Sequence, residues 1–147
     1  MTRSAAEPEP TPVTTFSGIA HVALVVRDMA ASVEFYGRVM GFEAVTDRLE
    51  GPPEARHPRQ LLRHPDSGMT LGIHEPLDGT DERFSPQRTG LDHIAVTVAD
   101  SDALTAWAER LRAHGVEPSP VRDAGYAQFV SFADPDGIAW EIWLPVG

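Results

Sequence analysis

One nine-residue segment of this chain is written twice, each time around a histidine. Residues 18–26, Gly-Ile-Ala-His-Val-Ala-Leu-Val-Val, return at 90–98 as Gly-Leu-Asp-His-Ile-Ala-Val-Thr-Val. His21 and His93 stand 72 residues apart, and Asp28 and Asp100 keep the same offset. A repeat nearly half the chain long means two copies of one structural unit packed together. A histidine at the same strand position in each copy points to a site built where the copies meet.

The pattern of each copy is that of a small α+β unit. Residues 18–26 read as an apolar strand, and Asp28 as the N-cap of a helix running to about Met40, with Ala31, Phe35, Val39 and Met40 at helical spacing. Gly41 stops it. Strands are expected at 42–48, 60–64 and 69–74, with a Pro-rich loop at Pro52, Pro53 and Pro58 and a turn at 65–68. The second copy repeats the order. A strand spans about 91–98, and Asp100 or Ser101 caps a helix carrying Leu104, Trp107, Ala108 and Leu111 on one face. A short strand near Val116 and strands at 126–132 and 138–144 follow, the last two joined by the turn Asp134-Pro135-Asp136-Gly137. Each unit is therefore strand, helix, strand, strand, strand. The expected domain covers 16–147, with repeat one at about 16–75, a polar connecting loop at 76–89 and repeat two at 90–147. Residues 1–15, with Pro8, Pro10 and Pro12, read as a disordered tail.

Composition narrows the chemistry. The chain has no cysteine, which excludes disulfides, a thiolate nucleophile and sulfur-ligated metal. A formal charge of −10 speaks against a nucleic-acid partner, because phosphate backbones need clustered Lys and Arg. No apolar run approaches the ~20 residues that cross a bilayer, and no signal peptide is visible, so a cytoplasmic protein without a membrane partner is expected.

Side chains alternate faces along a strand. His21 shares a face with Ala23 and Val25, His93 with Ala95 and Thr97, and Glu141 with Ala139 and Trp143. A lone strand histidine is more often a hydrogen-bonded core residue than a ligand. A glutamate between Trp140 and Ile142, however, is costly to bury without a cation or hydrogen bonds. Two imidazoles and one carboxylate are the ligands of many open metal sites, which leave positions for substrate. His21, His93 and Glu141 are thus the expected metal ligands. His74 is the next candidate, as a fourth ligand or an acid/base group beside Glu141. Aligning Gly68 on Gly137 puts Gly72 opposite Glu141, with His74 on the same face; aligning Pro65 on Pro135 puts Leu71 there and turns His74 away. His57, His64 and His114 suit solvated positions. Tyr126, Trp143 and Arg63 are weaker pocket-wall candidates.

These residues resemble the vicinal oxygen chelate superfamily, which contains glyoxalase I, extradiol dioxygenases, methylmalonyl-CoA epimerase, fosfomycin resistance enzymes and bleomycin-binding proteins. The resemblance rests on the His21 and His93 strands, on Ser32-Val33-Glu34-Phe35-Tyr36 leading into Val39-Met40-Gly41-Phe42, and on Asp134 to Glu141. It implies two βαβββ repeats whose curled mixed sheets form an open barrel around a pocket. It also implies one divalent metal ion (Fe, Zn, Ni, Mn or Co) on His21, His93 and Glu141. Glyoxalase-like members draw a further carboxylate or amide from the last strand of the first unit, where this chain has Gly72 or Leu71. The implied activity is a metal-dependent lyase, isomerase or extradiol-type dioxygenase acting on a small molecule with neighbouring oxygens. The alternative is a metal-free protein that binds a cationic antibiotic of the bleomycin type. A homodimer is expected, its paired units drawn from one chain or exchanged between two.

Overall fold

A computed structural model of the chain describes residues 5–51 and 58–147. The first unit consists of β1 (Val22–Val25), α1 (Met29–Arg38), β2 (Glu43–Ala44), β3 (Arg59–Arg63) and β4 (Thr70–His74). The second consists of β5 (Ile94–Thr97), α2 (Ser101–Ala113), β6 (Arg122–Asp123), β7 (Ala127–Ala133) and β8 (Ala139–Pro145). Each unit folds into a four-stranded sheet, ordered β1-β4-β3-β2 and β5-β8-β7-β6. In each, the first strand runs parallel to the last and the other pairs are antiparallel. Two mixed sheets with a helix apiece are the α+β architecture read from the repeat. The two sheets do not join into a closed barrel.

Period-2 alternation gives each sheet a buried and an open face. Leu24, Leu62, Leu71 and Ile73 point one way in the first sheet, and Val130, Phe132, Trp140 and Ile142 in the second; all are buried. The helices cover these faces, α1 against β3 and β4 and α2 against β7 and β8. The Asp28 and Asp100 side chains cap α1 and α2 by accepting from the amides of Ala31 and Ala103. On the opposite faces Ala23, Val25, Ala95 and Thr97 are exposed.

Some local expectations are corrected. The first strand of each unit begins only at Val22 or Ile94, so His21 and His93 precede the strands, not sit inside them. The apolar stretch is longer, but parallel partners begin at Leu71 and Trp140. The strand expected near Val116 is absent; the partner of β7 is Arg122–Asp123, after Pro118 and Pro120, which have no N–H to give a ladder. Ala31 faces solvent, and α1 buries Met29, Ser32, Phe35 and Tyr36. Pro52, Pro53 and His57 lie outside the described residues, as does the start of the tail.

Polar groups explain that rotation of α1. The Tyr36 hydroxyl donates to Asp134 Oδ2 at 2.6 Å and accepts from Trp140 Nε1 at 3.0 Å. Asp134 Oδ1 accepts the amides of Asp136 and Ile138, both at 2.8 Å. Next to it, Arg27 Nε donates to Asp136 Oδ1 at 2.7 Å. On the other side Arg110 of α2 donates to the carbonyls of Val39 and Arg38, at 2.7 and 2.9 Å. The 134–137 turn thus docks on the first unit's helix and joins the two copies. Burial, with the Asp134 charge alongside, pushes the Tyr36 phenol well above its usual range, so it remains a donor. Burial also raises the Asp134 carboxyl, against the opposing pull of its hydrogen bonds. Tyr36→Phe leaves the Trp140 N–H and an Asp134 oxygen unpaired, and should cost about 1–3 kcal/mol. Urea unfolding followed by tryptophan fluorescence measures the loss; an unchanged midpoint would contradict the joint.

Candidate functional site

The second sheet's open face carries the best-formed constellation. Ala95 of β5 pairs with Glu141 of β8, which pairs with Ser131 of β7, so Glu141 stands in mid-sheet. His93, two residues before Ala95, brings its Nε2 to 3.5 Å from Glu141 Oε2. That separation is a contact without hydrogen-bond geometry, for Glu141 Oε2 is buried with no hydrogen-bond partner. The Glu141 side chain is 15% exposed. A buried carboxylate oxygen left unpaired is costly unless a cation completes its surroundings.

The other ring nitrogen is held. His93 Nδ1 lies 2.6 Å from Asp92 Oδ1, so Nδ1 carries the proton toward the carboxylate and Nε2 presents its lone pair toward Glu141. A carboxylate behind a ligating imidazole is the usual outer partner at metal centres, fixing tautomer and ring direction. Sequence reasoning missed Asp92. Neighbouring residues of a regular strand point to opposite faces, and only the unpaired stretch before β5 lets Asp92 and His93 turn toward each other. The Asp-His dipeptide was the available signal.

His21 is exposed just before β1 and lines a cleft of about 320 Å³ with Val22, Thr70 and Ile94, a cleft that neither His93 nor Glu141 borders. Among the described residues of one chain, no three His, Asp or Glu side chains gather closely enough to hold a metal ion. The structure therefore joins His93 to Glu141 and leaves His21 apart from them. His74 lies on the first sheet's open face, in register with Val25 and two residues beyond Gly72. Of the two alignments, the one pairing Gly72 with the Glu141 position is correct, because Gly72 faces Ala23 as Glu141 faces Ala95.

Aromatic groups flank the pair. Trp143 stacks on Phe129 at 5.3 Å between centroids, and Tyr126, 68% exposed, leans on Trp143 at 5.8 Å. Arg63 is exposed at the end of β3. His64 is half-buried, accepting the Ser67 amide at Nδ1 and meeting Phe42 edge-on, so it holds a turn where a solvated role was expected. His114 ends α2 beside Arg38.

Residues 18–142 match the Glyoxalase/Bleomycin resistance protein/Dioxygenase superfamily, and the chain belongs to it. The Escherichia coli protein YaeR is 29% identical over 127 residues, spanning 85% of this chain and 94% of that one. The glyoxylase/bleomycin resistance protein/dioxygenase domain from Frankia sp. EAN1pec superposes with a TM-score of 0.81 at 27% identity, covering 90% of this chain and all of that domain. The fosfomycin resistance protein FosX from Listeria monocytogenes, solved with Mn(II) and sulfate, shares the fold with a TM-score of 0.65 at 20% identity, over 90% of this chain and 95% of that one. Among the described residues no helix is long and apolar enough to cross a membrane.

The orphaned oxygen makes a stability prediction. In the presence of a chelator, Glu141→Gln should leave the protein as stable as the wild type or up to about 1 kcal/mol more so, because it removes a buried unpaired charge. Urea midpoints in EDTA measure this; a loss above about 1 kcal/mol would mean that Glu141 already has its partner within the fold.

Proposed function

We propose that this protein is a divalent-metal-dependent enzyme acting on a small molecule with two neighbouring oxygens. One observation carries the reading: the buried, unpartnered oxygen of Glu141 facing an imidazole nitrogen whose opposite side is fixed by Asp92. That donor set, one hard carboxylate and imidazole, suits first-row divalent ions. His93 and Glu141 would hold the ion, and His21 would complete the set. In this family FosX was solved with Mn(II), which supports a divalent ion here. Bound there, the metal would polarise substrate oxygens and stabilise negative charge developing on them. Asp92 keeps the His93 proton on Nδ1. The wall of Phe129, Trp143 and Tyr126 limits water on one side of Glu141. Lyase, isomerase and oxygenase chemistry all begin from such a centre, and dioxygen consumption with a panel of catechols separates the last from the others. Metal-free capture of a cationic drug is the weaker reading, since it leaves the Glu141–His93–Asp92 arrangement without a purpose.

Because His21 stands apart from the pair within one chain, the reading includes a homodimer in which His21 comes from a second copy. Both open sheet faces are exposed and able to meet such a copy. Metal content by plasma mass spectrometry is expected to be near one ion per chain, and to vanish in His21→Ala and Glu141→Gln. Asp92→Ala should weaken affinity about 10–100-fold while leaving the fold intact. Refolding the His21→Ala and Glu141→Gln chains together should recover about a quarter of wild-type loading, as random pairing in a two-fold dimer requires. No recovery would place all three ligands in one chain, and metal retained by Glu141→Gln would overturn the assignment.

A further inference from the structure

The two open faces are equivalent by the repeat, yet they differ at the position that matters. Glu141 in β8 corresponds to Gly72 in β4, each opposite an alanine of its unit's first strand. Gly72 does not have a positive φ, so its backbone conformation does not demand glycine. Space does. A Cβ at residue 72 would lie 3.2 Å from His74 Nε2, 3.6 Å from its Cδ2 and 3.4 Å from the Ala23 Cβ. The His74 imidazole thus folds back over Gly72 and fills the volume that a side chain there would take. A glutamate's carboxylate oxygens lie at a comparable reach from its own Cβ. The backbone of His74 is pinned meanwhile, its carbonyl accepting the Val26 amide at 2.8 Å. The counterpart of His74 in the second sheet is Trp143, which keeps to its own column and stacks on Phe129.

The geometry points to a substitution by displacement: His74, reaching back two residues, supplies to the metal the donor that Glu141's counterpart lacks, and Gly72 is the positioning residue that admits it. The inference rests on the metal reading above. Each unit then contributes two donors, His21 and His74 from the first and His93 and Glu141 from the second. The ligand set would be three imidazoles and one carboxylate, which favours a borderline ion over a hard one such as magnesium.

Titration of chelator-stripped, full-length protein with Mn(II) alone tests this, with free ion read by its EPR signal and coordinated imidazoles counted by pulsed EPR. Three imidazoles are expected in the wild type and two in His74→Ala, whose affinity should fall at least ~10-fold. Gly72→Ala should shift affinity in the same direction by pushing the ring aside. The double variant Gly72→Glu, His74→Ala should bind more tightly than His74→Ala alone, because a carboxylate returns to the equivalent position. Two imidazoles in the wild type, with His74→Ala binding unchanged and Glu141→Gln still abolishing uptake, would overturn the role of His74 and leave the metal reading standing. Absence of any Mn(II) uptake sensitive to Glu141→Gln would overturn both. The imidazole count in wild type and His74→Ala decides the matter even if Gly72→Ala fails to fold.

Discussion

The hydrogen bond from Tyr36 to Asp134 is the joint on which the two units turn. A sheet of four short strands and one helix has too little apolar surface to stand alone, so each unit depends on the other for its core. Tyr36 is fully buried between Phe35, Phe42 and Trp140, and its hydroxyl has no access to water. It must be paired, and Asp134 and Trp140 of the second unit pair it. Because Asp134 also receives the amides of its own turn, one carboxylate shapes the turn into β8 and fixes where the first helix lies. The position of Glu141 follows from that, since the same turn sets the register of β8.

The repeat shows how one scaffold has been put to unequal uses. Both units keep a buried face of branched and aromatic side chains under a helix and an open face carrying histidine at the strand entrance. Their last strands have diverged. The second holds an unpaired carboxylate beside an aromatic stack, and the first holds a glycine covered by a histidine. Divergence costs least on the open faces, where a substitution alters no core packing.

Much of the architecture was legible because it follows from local periodicity. Alternation of apolar and polar side chains identified the faces of β1, β4, β5 and β8, and the aspartates at the helix starts were read as caps for a simple steric reason. The face shared by Glu141 and Trp143 needed only the period of a strand. The errors fell where a partner far along the chain decides. Ala31 was assigned to the core because it is apolar, but the helix turns so that Ser32 and Tyr36 reach Asp136 and Asp134. The His21 and His93 segments looked like strand throughout and are strand only where β4 and β8 offer hydrogen bonds.

The sequence by itself determined that there are two βαβββ units, which face of each strand is apolar, and which residue types could hold a metal. Those are properties of neighbours in the chain, where the strand and helix periods act directly. Only the tertiary structure decided that Gly72, not Leu71, stands where Glu141 stands, that Asp92 fixes the His93 ring, and that His21 lies apart from the pair it resembles by repeat. Register, side-chain pairing across strands and the meeting of sheets are settled by contacts between distant residues. A one-residue change of register inverts every face, so no local pattern could choose between the two alignments.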